Sequence, residues 1–84
     1  MSVAPDASIP ELDVRRLLCP IPVIRTQDRV KTMVPGALLD VLATDPGVLN
    51  DLPAWCRING HRVVATDRRD GTIVVRVEVG GAAS

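Results

Sequence analysis

The chain has 84 residues with ten basic and ten acidic side chains, so its net charge is zero and no strong field draws it to nucleic acid or a membrane surface. An apolar fraction of 46% is that of a globular chain and speaks against intrinsic disorder; with one Trp and no Phe or Tyr, the core must be built from Val, Leu, Ile and Ala. One small domain is expected, burying roughly 60–65% of its unfolded surface. No run approaches a membrane span and the N-terminus lacks a charged-then-apolar signal pattern, so a soluble cytoplasmic protein is expected.

Residues 1–10 carry Pro5 and Pro10 without a clear period and read as a loose tail, with Ile9 the one candidate for early pairing. From Glu11 to Arg15 the chain alternates, Leu12 and Val14 to one side, Glu11, Asp13 and Arg15 to the other, which predicts a half-buried strand. Arg16 to Leu18 turns into Cys19-Pro20-Ile21-Pro22. Proline suits a first helical position, so Pro20 predicts a helix start with Cys19 at or beside the N-cap. Unpaired backbone donors and the positive helix end would then favour the thiolate, helped by Arg15, Arg16, Arg25, Arg29 and Lys31 against Asp28 alone. The plain alternative is a small buried hydrophobe that happens to precede a helix. Apolar and small positions at 20, 23, 24, 27, 30 and 34, Gln27 excepted, predict a core stripe on a helix running to about Met33. Arg25, Asp28 and Arg29 lie outside it, and Pro35-Gly36 is its stop.

Leu38 to Ala43 predicts the next strand, with Leu39, Val41 and Ala43 on one face and Asp40 opposite. Asp45-Pro46 is either a helix start or a tight turn leading to a second start at Asp51. Pro53 is placed in the first turn after Asp51, with Leu52, Trp55, Cys56 and Val48 as the buried face and Asn59-Gly60 as the stop. In the strand over 61–68, Val63 and Ala65 face inward against Arg62, Val64 and Thr66. Over 72–79, Ile73, Val75, Val77 and Val79 face inward against Arg76 and Glu78. Arg69-Asp70-Gly71 joins the two as a hairpin turn, and residues 81–84 form a short tail. The order is β-α-β-α-β-β, and single alternating faces imply one sheet with both helices on one side, an α+β two-layer sandwich. The expected core is Val23, Val30, Leu39, Val41, Leu52, Val63, Ile73, Val75 and Val77.

Cys-Pro-x-Pro at a strand-to-helix junction resembles the TusA/SirA family of small sulfur-carrier proteins. So does the series around it: Leu12-Asp13, Met33, Pro35-Gly36, Asp45-Pro46, Asp51-Leu52-Pro53-x-Trp55-Cys56 and Gly60-His61. The likeness covers Leu12 to Val79, within one domain taken as 11–80. It implies a mixed four-stranded sheet similar to the C-terminal domain of translation initiation factor three. It also implies that Cys19 accepts sulfane sulfur as a persulfide, from a donor such as a cysteine desulfurase or rhodanese, and passes it to an accepting protein. The chain would then be a sulfurtransferase-like carrier rather than a stand-alone enzyme, serving tRNA thiolation, molybdenum cofactor synthesis or sulfur oxidation. Pro20 and Pro22 would shape the loop, and Arg15, Arg16 and Ile21 are candidate partner contacts. Two features depart from the relatives: Arg16 stands where they usually have glycine, so a positive φ there would strain it mildly. Ile21 occupies a position that is often acidic in tRNA-thiolation carriers.

Two further readings stand beside this one. A thiol redox protein would link Cys19 to Cys56, which needs Cα atoms within about 7 Å. An RNA-binding module is opposed by zero net charge and the lack of stacking aromatics. Cys56 beside Trp55 reads as core, and His61 as structural or capping. Cys19, Cys56 and His61 lack a zinc-site spacing, so no metal, no resident cofactor and no direct nucleic-acid contact are expected of what should be a monomer.

Overall fold

Two strands carry the hydrophobic rows on which the rest of the chain is laid. In the computed structural model, which describes residues 8–80, the elements are β1 (Glu11–Asp13), α1 (Ile21–Val30), β2 (Leu38–Ala43), α2 (Val48–Asn59), β3 (Arg62–Arg69) and β4 (Thr72–Glu78). The sheet order is β1-β2-β4-β3, with β1 parallel to β2 and both other pairs antiparallel. Alternation in β2 and β4 puts Leu39, Val41 and Ala43 opposite Val77, Val75 and Ile73. These residues share one cluster with Val30 of α1 and Val48, Leu52 and Cys56 of α2, so both helices cover the same face of the sheet. The mixed α+β two-layer fold expected from the sequence is therefore the fold found. Of the expected core, Val23 and Val63 are only partly buried; the others are buried.

Of the ends expected to be loose, 1–7 and 81–84 lie outside the described residues. Ile9 is buried and the Pro10 carbonyl accepts the Asp40 N–H at 3.0 Å, which extends the β1–β2 ladder backwards.

Four local expectations are corrected. The buried stripe of α1 is Pro22, Thr26 and Val30, with Ile24 and Val34 exposed. Thr26 is admitted to the core because its Oγ1 donates to the Pro22 carbonyl at 2.8 Å, leaving its methyl to pack. The helix stops at Val30 rather than Met33, well before the Pro35-Gly36 turn. Helix α2 starts at Val48, with Gly47 at its N-cap, so Pro53 lies inside the helix and not in its first turn. In β3 a bulge between Val63 and Ala65 resets the alternation: Ala65 pairs with Arg76 and Thr66 with Val75, so Ala65 leaves the helix-covered face.

Turn chemistry behaves as the residue types dictate. Gly60 ends α2 at φ 79°, while Asp70 and Gly71, at φ 50° and 82°, close the β3–β4 hairpin. On the uncovered sheet face Asp40 is 4% exposed yet charged, because Arg76 opposite it in register donates Nε and Nη2 to its carboxylate at 2.8 and 3.0 Å.

Candidate functional site

The loop between β1 and α1 is pinned at two points by the turn that follows β2. Val14 N–H continues the β1–β2 ladder to the Leu42 carbonyl at 2.8 Å. Arg16 N–H then donates to Thr44 Oγ1 at 2.8 Å, and Cys19 N–H to Asp45 Oδ2 at 2.9 Å. Asp45 uses its other oxygen, Oδ1, to accept the Gly47 N–H at 3.0 Å, so a single carboxylate ties the motif loop to the start of α2. Arg16 is held at φ 69°, the conformation that a glycine would adopt freely.

Cys19 is half-buried, and its sulfur lies 3.4 Å from the point where a Cβ on Gly47 would sit. The absence of a side chain at Gly47 is what leaves the sulfur its place against α2. Flanking it in the chain, Leu18 is 73% exposed and Ile21 40%, an apolar rim to the motif loop, and Leu49, two residues beyond Gly47 on α2, is 37% exposed. Pro20 is the N-cap of α1 and Pro22 lies in its first turn, so Cys19 precedes the cap rather than forming it.

The expected acidic thiol is not what the geometry produces. Burial and the carboxylates of Asp51 and Asp45 push the Cys19 thiol up to about 11. Two structural facts explain why the anticipated positive surroundings are missing. Proline supplies no N–H at 20 or 22, and the Ile21 N–H is spent on the Leu18 carbonyl at 3.0 Å, so the helix end offers the sulfur few donors. The arginines are also placed elsewhere. Arg15 is ion-paired with Asp13 at 2.8 Å, holding that carboxyl down at about 2. Arg16 and Arg25 line a separate open groove of about 650 Å³ with Leu17, Thr44 and Thr72. The two residues that dominate the electrostatics, Asp45 and Asp51, carry signals readable only as helix starts. Nothing local in the sequence says that both turn toward residue 19.

The other candidates lie away from this loop. Cys56 is 1% exposed, its thiol pushed up to about 11 by burial alone. About two and a half helical turns of α2 separate it from Gly47, beside which the Cys19 sulfur lies. His61 sits at the opposite end of the sheet, where Nδ1 accepts the Gly80 N–H at 2.9 Å and the ring stacks on Trp55 with centroids 5.0 Å apart. Among the described residues no group of three or more His, Cys, Asp or Glu is placed to hold a metal ion, and no helix is long and apolar enough to cross a membrane.

Fold and loop together define a small α+β thiol protein, with one accessible cysteine at the β1–α1 junction beside the end of β2. The family described as Sulfurtransferase TusA matches residues 10–79, and the chain belongs to that family. It is similar to the sulfur carrier protein TusA of Pseudomonas syringae, 41% identical over 64 residues that make up 76% of each chain. The sulfur carrier protein TusA of Pseudomonas aeruginosa is 41% identical over 61 residues, 73% of this chain and 77% of that one. The fold is also that of a SirA-like protein from Desulfitobacterium hafniense, with a TM-score of 0.75 at 24% identity over 86% of this chain and 99% of the other.

Proposed function

We propose that the chain is a sulfur carrier that takes sulfane sulfur on Cys19 as a persulfide and hands it to a cysteine of a partner protein. One observation carries the reading: in a chain of this family, the half-buried Cys19 lies in a pinned loop with an exposed apolar rim, whereas Cys56 is sealed in the core. Loading requires a Cys19 thiolate to attack the outer sulfur of a donor persulfide. The Sγ–S bond forms, the donor's S–S bond breaks, and its electron pair leaves on the donor cysteine as a thiolate. Delivery is the same step with Cys19 as the leaving group. The inner sulfur leaves with more difficulty from a site that disfavours the anion, so both directions depend on how a partner changes the charge around Cys19. Which donor and acceptor are used, and whether the sulfur ends in thiolated tRNA, molybdenum cofactor or oxidised sulfur, is a matter of partners.

Incubation with a cysteine desulfurase or a rhodanese and its substrate, followed by mass spectrometry, tests the reading. Wild type gains one or more sulfur atoms that a reducing agent removes, Cys19→Ser gains none, and Cys56→Ala loads as wild type does. Sulfur on Cys56 alone, or on neither residue with any competent donor, refutes it. An oxidation-induced link between Cys19 and Cys56 would instead mark a redox protein.

A further inference from the structure

The charge beside the reactive sulfur is negative, although the loop that carries it is rich in arginine. Asp45 is fixed there by the Cys19 and Gly47 N–H groups, and Asp51 stands on the first turn of α2. Leu18 and Ile21 in the motif loop and Leu49 in the first turn of α2 present exposed apolar side chains. We propose that this surface recognises a cationic partner: the protein that exchanges sulfur with Cys19 presents a Lys or Arg side chain to the Asp45–Asp51 pair while covering the apolar rim. The proposal rests on the carrier reading above and adds the chemistry of the partner's surface.

The physical argument is that recognition and activation become one event. Exchange needs the Cys19 thiolate, and burial together with two carboxylates, with no cation among the groups acting on the sulfur, keeps the proton on it in the free chain. A guanidinium or ammonium group seated between Asp45 and Asp51 cancels that repulsion and attracts the thiolate. The thiol proton passes to solvent water, and the thiolate attacks as written above. Away from a partner the thiol stays protonated and resists oxidation and adventitious disulfides. Asp45 and Asp51 are positioning residues in this scheme, since they bond to neither the transferred sulfur nor the donor cysteine. Arg16 and Arg25 face the separate groove beside Thr44 and Thr72, and Arg15 is engaged by Asp13.

Thiol–disulfide exchange with small charged disulfides tests this without any sulfur donor. In a Cys56→Ala background, the rate of Cys19 with cystamine, which carries ammonium groups, is compared with that of dithiodipropionate, which carries carboxylates. Each rate is divided by that of 2-mercaptoethanol with the same disulfide, to remove the leaving-group difference. The expected normalised preference for cystamine is about tenfold at low salt, collapsing as salt is added. Asp51→Asn, at an exposed position that leaves the loop's hydrogen bonds in place, shrinks the preference about threefold and lowers the pH midpoint of iodoacetamide labelling. Asp45→Asn also shrinks the preference but gives up one of the two backbone N–H bonds that pin the loop, so Asp51→Asn is the variant that isolates the charge. Equal normalised rates overturn the proposal, as does a preference unchanged in both variants. Faster reaction with the anionic disulfide also overturns it and gives control to the arginine groove. A chain that prefers cystamine yet loads no sulfur retains the cationic recognition and loses the carrier reading.

Discussion

At the scale of single residues, two side chains sit where their type is costly. Arg16 occupies the left-handed region at φ 69°, where a Cβ is disfavoured by about 1 kcal/mol. Its backbone N–H is held by Thr44 whatever the side chain is, so Arg16→Gly is expected to be neutral or to stabilise the fold by up to about 1 kcal/mol. The urea midpoint reports this, and a clear loss would mean that the guanidinium holds the groove together. Asp40 is the opposite case, a charge that its neighbours make tolerable. Asp40→Ala removes the carboxylate that takes two N–H bonds from the Arg76 guanidinium, itself only 15% exposed, and leaves a cavity at a buried position. A loss of about 2–4 kcal/mol is expected, and Arg76→Met in the same background should recover part of it, since two apolar partners need no pairing.

At the scale of elements, the instructive comparison is between the two helices. The inward rows of β2 and β4 were legible because strand alternation is a local pattern, and Leu39, Val41, Val75 and Val77 obey it fully. The stripe of α1 runs through Pro22 and Thr26 and not through Pro20, Val23 and Gln27, because the hydroxyl-to-carbonyl bond between Thr26 and Pro22 satisfies the threonine and lets it be buried. The bulge in β3 is likewise invisible in the sequence: Val63, Val64 and Ala65 are all apolar and suit either face, and the shift arises from pairing with β4. A close contact between elements supports a further expectation. A Cβ on Gly80 would collide with the Gly60 carbonyl, so the end of β4 is packed directly on the corner between α2 and β3. The same Gly80 donates its N–H to His61. Gly80→Ala should therefore cost about 1–3 kcal/mol in chemical denaturation and disturb the Trp55 fluorescence through the His61 stack. An unchanged midpoint would show that the corner opens freely.

At the scale of the whole molecule, both thiols bind their protons more tightly in the folded chain than in the unfolded one. Cys19 and Cys56 are each raised from an ordinary 9.0 to about 11. A group whose folded pKa is raised contributes stability that is complete below its unfolded value and is lost as the pH climbs toward the folded one. Stability should thus be level near neutrality and fall between pH 9 and about 11. Cys56→Ala should lower stability by about 1–2 kcal/mol at pH 7 and flatten that alkaline slope. Denaturation midpoints across pH 7 to 10.5 measure both, and a slope unaltered by the variant would show that the Cys56 thiol is not what the alkaline limb reports. Asp45 acts with the opposite sign. Its carboxyl is held below the ordinary 3.8 by the Cys19 and Gly47 N–H groups, so the tie between the motif loop and α2 is present above that pH and weakens as acid protonates it.

What the sequence determined by itself was everything that rests on short range. The order of elements, the faces of β2 and β4, the hairpin at Asp70-Gly71, the stop at Gly60 and the singling out of Cys19 all follow from residues within a few positions of one another. Tertiary structure alone decided the charge at the sulfur. Counting nearby residues along the chain gave Cys19 a basic setting, because Arg15, Arg16 and Arg25 are its neighbours in sequence. In space, those side chains turn to Asp13 and to a separate groove, while Asp45 and Asp51, 26 and 32 positions away, arrive with the turn after β2 and the first turn of α2. Electrostatic energy falls with distance through space and is indifferent to distance along the chain.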